Sequence, residues 1–406
     1  MKKIVSLLIV AAMVIMLLPS FAACTPRENI LNISNWEDYI APEVLDGFKE
    51  YYKAVTGENI KIKYDALSSN EEMLQKISLN RVDYDILCPS DYMIEKMLRE
   101  DLLIKLSTNL GNDINGNPIE DYRTCASPFS RNRDFDPTNE YAVGYMWGTM
   151  GILYNPALIK SGDEIKSWNS LWDPAYSKQI LMKDSVRDSF VPASIYANRT
   201  VLAQAKATMT PAEYQAELTR IINDTEHAAL TLAMNELIAQ KPILKGYEVE
   251  QGKNDMIDGN ATMSLQWAGD AVFSIDANPA LKYVIPEEGS NLFFDGWVIP
   301  KYAGNVKAAN LFINYMCKPE IAIQNMDYIG YTSVIASDEV IEYLNENYAE
   351  YPEIDLSYFF GEAGKSVHAD PNMFPEAETI LRLAVMRDFG AAESKVNDMW
   401  NNVKSS

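Results

Sequence analysis

Apolar and polar positions alternate with two periods along this chain, and the changes between them predict its elements. "NILNISNW" reads as a strand, and "APEVLDGFKEYYKAVTG" follows with helical spacing and stops at Gly57. "IKIKYDAL" alternates as a strand, and "NEEMLQKISLN" as a helix capped by Asn70. In "YDILCPSDYMIEKMLRED" an apolar strand is broken by Pro89, and Ser90 or Asp91 caps the helix that follows. The order βαβαβα predicts a mostly parallel sheet covered by helices.

Residues 111–140 are loop-rich, and "YAVGYMWGTMGILYNPALI" then runs as a long apolar extended segment. It predicts a crossing from one lobe to a second. Helices fill the chain to about 245, a strand and helix return at 261–275, and "YVIPEEGSNLFFDGWVIPKYAG" predicts a second crossing. "VKAANLFINYMCKPEIAIQNM" reads as a helix pair broken at Pro319, and 376–403 as helical. Two α/β lobes joined by two crossings form a clamshell. The expected division is 29–142 with 297–340 for lobe 1, and 143–296 with 341–406 for lobe 2. Ligands of open α/β sheets bind outside the carboxyl ends of strands, so strand ends from both lobes should line one cleft.

The 406 residues, 48% hydrophobic and 23% charged, suit two such lobes. The first 23 stand apart: "MKK" is basic, "IVSLLIVAAMVIMLL" apolar, and Ala22 and Ala23 precede Cys24 as at a cleavage site. An uncleaved membrane anchor is the alternative. The stretch resembles a bacterial lipoprotein signal, apart from Phe21 where Leu is usual. That resemblance implies export, with the chain lipid-anchored through Cys24 at the outer face of the cell membrane or in the periplasm. The net charge of −22 becomes −24 without residues 1–23, which hold Lys2 and Lys3 and no acid. Such a surface repels nucleic acid and anions and attracts cations, although solubility alone accounts for it equally well. Of the other cysteines, Cys88, Cys125 and Cys317, none forms a CxxC motif, and a Cys88–Cys125 disulfide stays open.

The strand-end turns repeat one composition. Trp36, Asp38 and Tyr39 follow the first strand, and Ser90, Asp91 and Tyr92 the third. Trp267 and Asp270 follow a second-lobe strand, and Phe293, Phe294 and Asp295 lie at the second crossing. An aromatic beside a carboxylate suits an alkylammonium, whose head takes charge-assisted hydrogen bonds and whose stem packs on a ring. Taken singly, Asp270 reads equally as a helix N-cap and Trp267 as core. Only two histidines exist, no GxSxG occurs, and "GEAGKS" lacks the first glycine of a phosphate loop. Carboxylates with tryptophans also describe a secreted glycosidase, which would need two catalytic acids a few ångströms apart.

The motifs "NWEDYIAPEVLDGF", "YDILCPSDYMIEKM", "GYMWGTMGILYN", "SWNSLWDP", "QWAGDA", "FFDGWVIP" and "GYTS" together resemble the polyamine (spermidine/putrescine)-binding proteins of ABC importers. The likeness covers about residues 30–403. It implies a two-lobe periplasmic-binding-protein fold of type II that closes on a polyamine. Hinges are expected near 142–148 and 294–298. It further implies delivery to a permease driven by a separate ATPase, a monomer, and neither catalytic residues, cofactor nor metal. Carried over by position, Trp36 and Tyr39 are cleft aromatics, Asp38 an acid of putrescine-type members, and Ser90 a small polar contact. Asp188 recognises a far amine, and Trp267, Asp270 and Asp295 surround one ammonium. Phe293 and Tyr331 are further walls. Ser185 stands where spermidine-type members carry a second acid, which leans toward putrescine. Arg387 stands near a ligand-contacting position, where it would either shorten the acceptable ligand or be paired by an acid such as Asp388. Another solute, such as a sugar or a metal complex, is the alternative within the fold. The cleft acids are expected to have no basic partner.

Overall fold

The computed structural model describes residues 26–67, 69–79 and 83–406. The leader and Cys24 lie outside the described residues. Strand β1 (Ile30–Trp36) pairs in parallel with β2 (Lys61–Leu67) and β3 (Ile86–Leu87). Helix α1 (Pro42–Thr56) starts on a proline at its first position and ends on Gly57, whose φ of 77° needs a glycine. It buries Val44, Phe48 and Tyr52, one face of a 3.6-residue period. Helix α2 (Asn70–Ser78) follows β2, and α3 (Asp91–Arg99) follows β3. The cap of α2 is Ser69, whose hydroxyl accepts the Glu72 N–H, rather than Asn70. Asn70 is free to reach across to Ser90 instead.

The short strand β4 (Leu103–Ile104) precedes the long β5 (Ala142–Tyr154). Strands β6 (Ile180–Lys183), β7 (Leu244–Glu248) and β8 (Met263–Trp267) form a second parallel group. The extended segment β9 (Lys282–Val284) leads into β10 (Ser290–Pro300), buried along its whole length. One continuous sheet results, ordered β2-β1-β3-β10-β5-β8-β6-β7. The predicted crossings are its two central strands. From Ala142 to Thr149, β5 pairs with β10, and from Met150 to Tyr154 it pairs with β8. A register shift falls between Asp295 and Gly296. Such a shift re-aims a side chain, here at a predicted site residue.

Two large hydrophobic cores flank this hand-over. The first is built on Leu31, Phe48, Trp147, Trp297 and Phe312, and the second on Trp168, Met182, Ile195, Leu237 and Leu265. The first core reaches into the expected lobe 2. Val143 to Trp147 and Leu292 to Phe294 belong to the first core, as do Phe359, Val367, Phe374 and Leu383. Phe359 stacks on Trp147 at 5.6 Å, a contact between residues too distant in sequence for periodicity to foresee. The tail also differs. A turn of helix at Ala377–Ile380 and a strand at Leu383–Ala384 precede the helix Glu393–Ser405, so only its end is a long helix. Cys88, Cys125 and Cys317 are free thiols, Cys88 and Cys317 being buried. No described helix is long and apolar enough to cross a membrane.

Candidate ligand-binding site

The parallel strands β1, β3, β6 and β8 end near one another, and the segments after them supply most of the predicted residues, with Phe293 and Asp295 coming from β10 and Tyr331 from the turn after the helix Pro319–Ile329. Trp36 is the last residue of β1, and Asp38 follows in the left-handed region at φ 50°, exposed. Tyr39 is buried and donates its hydroxyl to Asp295 Oδ2 at 2.6 Å. Ser90 donates to the other oxygen, Oδ1, at 2.7 Å. Tyr39 packs edge-on to Tyr331 at 5.0 Å, and Phe293 lies 6.4 Å from the same ring.

Asp295 is 5% exposed and makes no ion pair among the described residues. Burial raises its pKa to about 6, against the opposing hydrogen bonds of Tyr39 and Ser90 and with help from the charge of Asp188. The adjacent Asp91 accepts the N–H groups of Tyr92 and Phe294, so it holds the backbone of β10 rather than a ligand. Burial raises it to about 7.

The second half supplies Asp188, Trp267 and Asp270. Helix α4 (Val186–Ala197) is capped by Ser185, whose hydroxyl takes the Asp188 N–H at 3.3 Å. The Asp188 carboxylate is buried, receives the Trp267 indole N–H at 3.3 Å, and is pushed upward in pKa chiefly by desolvation. Helix α5 (Ala268–Ala277) begins one residue after Trp267, so Asp270 lies at its third position and is not the N-cap. A carboxylate in the first turn still gains from the helix dipole.

Asp270 accepts the Tyr331 hydroxyl at 3.1 Å, which joins the second half to the Tyr331–Tyr39–Asp295 chain. Gly269 makes this approach possible, because a Cβ there would sit 1.9 Å from Tyr331 Cδ2. Gly269→Ala is therefore expected to displace the ring, costing about 1–3 kcal/mol of stability and weakening ligand binding. Thermal unfolding checks it, and an unchanged midpoint would show that Tyr331 has room to move.

Asp38, Asp188 and Asp295 form no ion pair among the described residues, whereas Asp270 departs from the expectation of unpaired acids. Lys183 Nζ lies 3.6 Å from Asp270 Oδ2, and Lys253 Nζ 3.7 Å from Oδ1. Lys183 is fully buried and sits 4.1 Å from the centroid of the Trp267 ring. Sequence reasoning missed both lysines. The one available signal was a lysine closing the apolar strand "ILMK" at a cleft-facing end. Arg387 also departs from expectation: it pairs with Glu95 and Asp134, while Asp388 pairs with Arg99. Arg387–Glu95, Asp388–Arg99 and Lys96–Glu393 tie α3 of the first half to the end of the chain, so the two halves meet there. Arg387 thus clasps the halves rather than lining the site. A cavity of about 520 Å3 near the site is lined by Asp91, Arg133, Phe294 and Asp295. It takes no lining from Asp188, Trp267 or Asp270 and so lies within the first half.

The arrangement places carboxylates and rings from both halves around one buried point, as in a receptor that closes on a solute. A family model described as bacterial extracellular solute-binding protein matches residues 47–355. The chain belongs to this family. Its fold is accordingly the two-lobe periplasmic-binding-protein fold. Among relatives of this solute-binding protein, the spermidine/putrescine-binding periplasmic protein of Escherichia coli K12 is 27% identical over 95% of this chain and 94% of its own. The putrescine-binding periplasmic protein PotF of the same organism is 26% identical over 87% of this chain and 91% of its own. A Listeria monocytogenes structure, solved as a candidate spermidine/putrescine ABC transporter, superposes with a TM-score of 0.73 at 31% identity. It covers 93% of this chain and 99% of that one.

Proposed function

We propose that this solute-binding protein captures a polyamine outside the cytoplasm and delivers it to an ABC importer. Capture needs no catalysis, and membership of the solute-binding family favours it over the glycosidase reading. The observation that carries the proposal is Asp295: a buried carboxylate held by two hydroxyls, with no cation partner among the described residues and facing Asp188 across the cleft. A buried charge left unpaired is costly, and a ligand ammonium removes that cost. The relatives named for spermidine and putrescine support the same chemistry.

In this reading Asp295 takes one ammonium, with Tyr39 and Ser90 fixing its carboxylate and Asp270 beside it. Asp188, or Asp38 at the rim, takes the other. Trp36, Trp267, Phe293 and Tyr331 pack along the methylenes, each cation–π contact adding roughly 0.5–2 kcal/mol. The lobes open about β5 and β10 near 142–148 and 294–298, and the closed form docks as a monomer on a permease served by a separate ATPase. Export and anchoring run through the leader and Cys24. Calorimetry with putrescine, cadaverine, spermidine and spermine should give binding heat with at least one. Silence with all four, beside a thermal shift with a sugar, would contradict the proposal.

A further inference from the structure

Asp270 sits in a layer of alternating charge that is buried at Lys183 and Glu248 and reaches the surface at Glu250. Lys183 Nζ donates to Val249 O at 2.6 Å and lies 3.2 Å from Glu248 Oε1 as well as 3.6 Å from Asp270. Lys253 bridges Glu250 at 2.7 Å and Asp270 at 3.7 Å. Glu248 is held in turn by the Gly252 N–H and by Gln266. Among the buried and half-buried members of this layer two cations, Lys183 and Lys253, face two acids, Glu248 and Asp270, while Glu250 is at the surface and screened. Asp188 and Asp295, by contrast, are buried and form no ion pair among the described residues. Asp38 is exposed, where water and salt screen its charge.

Resting on the polyamine reading, we propose that Lys183 and Lys253 determine ligand length: by occupying Asp270 they leave two buried carboxylates, a number matched by a diamine and not by a triamine. A third ammonium would have to enter beside two resident lysines. Repulsion between like charges brought together inside a protein is a strong basis for rejecting a ligand. Lys183 backs the Trp267 ring from within, and its removal would strand Glu248. Lys253, with its side chain 16% exposed, is the residue that can be changed with less risk to folding.

The test is calorimetry with putrescine and spermidine on the wild-type protein, Lys253→Met and Lys253→Arg. The wild type should bind putrescine the more tightly. Lys253→Met should move the affinity ratio toward spermidine by about tenfold or more. Lys253→Arg keeps the charge and should keep the wild-type ratio. Wild-type preference for spermidine, which requires no variant, would overturn the inference. So would a ratio that Lys253→Met leaves unchanged while both amines bind, and in either of these cases the polyamine reading stands. If neither amine binds the wild type, that reading fails first and this one with it.

Discussion

Asp295→Asn is expected to weaken polyamine binding by at least about 100-fold, roughly 3 kcal/mol. Asparagine fills the same space, so the loss isolates the charge. Tyr39 and Ser90 both direct hydroxyls at the carboxylate and can turn toward the remaining amide oxygen only in part. The same change should not weaken the empty fold. Asp295 has a folded pKa of about 6, raised above the unfolded value near 4, so its ionised form opposes folding at neutral pH. The shift corresponds to about 3 kcal/mol, an upper bound on what the neutral amide can recover. Calorimetry and thermal unfolding at pH 7.5 read the two effects. A variant that binds like the wild type would remove Asp295 from the site.

The second large effect is on pH. For a carboxyl raised by burial, the neutral form suits the empty fold, so this contribution to stability grows as pH falls from about 7 toward 4. Asp91, raised to about 7, acts in the same direction, and Asp188 is also shifted upward. Ligand binding has the opposite sign. An ammonium requires ionised Asp295, so below about pH 6 a proton must leave before the amine enters. Affinity should fall by up to about tenfold per pH unit for each such group. Between pH 7.5 and 5 the empty protein should therefore gain from these groups, while the ligand-induced rise in melting temperature shrinks. Binding that is flat over this range would mean that Asp295 is not the ammonium's partner.

The strand-end turns were legible because an aromatic and a carboxylate recur where β1, β3 and β8 stop, and period-2 and period-3.6 patterns mark those stops. Tyr39, Ser90, Asp188, Trp267, Asp270, Phe293, Asp295 and Tyr331 are buried or half-buried. Asp38 lies at the surface, where its left-handed backbone makes the turn into α1. The lysines were not legible. A lysine ending a strand usually reads as solvated, and only the burial of Glu248 and Asp270 around it shows otherwise. The return of 341–383 to the first core depends on Phe359 and Phe374 meeting Trp147, a pairing across some 200 residues that local pattern does not encode. Arg387 illustrates the same limit: its partner is Glu95 on the opposite half, not its neighbour Asp388.

The most direct measurement is a crystal structure of the protein with putrescine bound. One amine nitrogen should lie within hydrogen-bond distance of Asp295 and the other of Asp188, with the Lys183–Asp270 contact kept. Putrescine bound outside the cleft, or both nitrogens placed away from Asp295 and Asp188, would contradict the account.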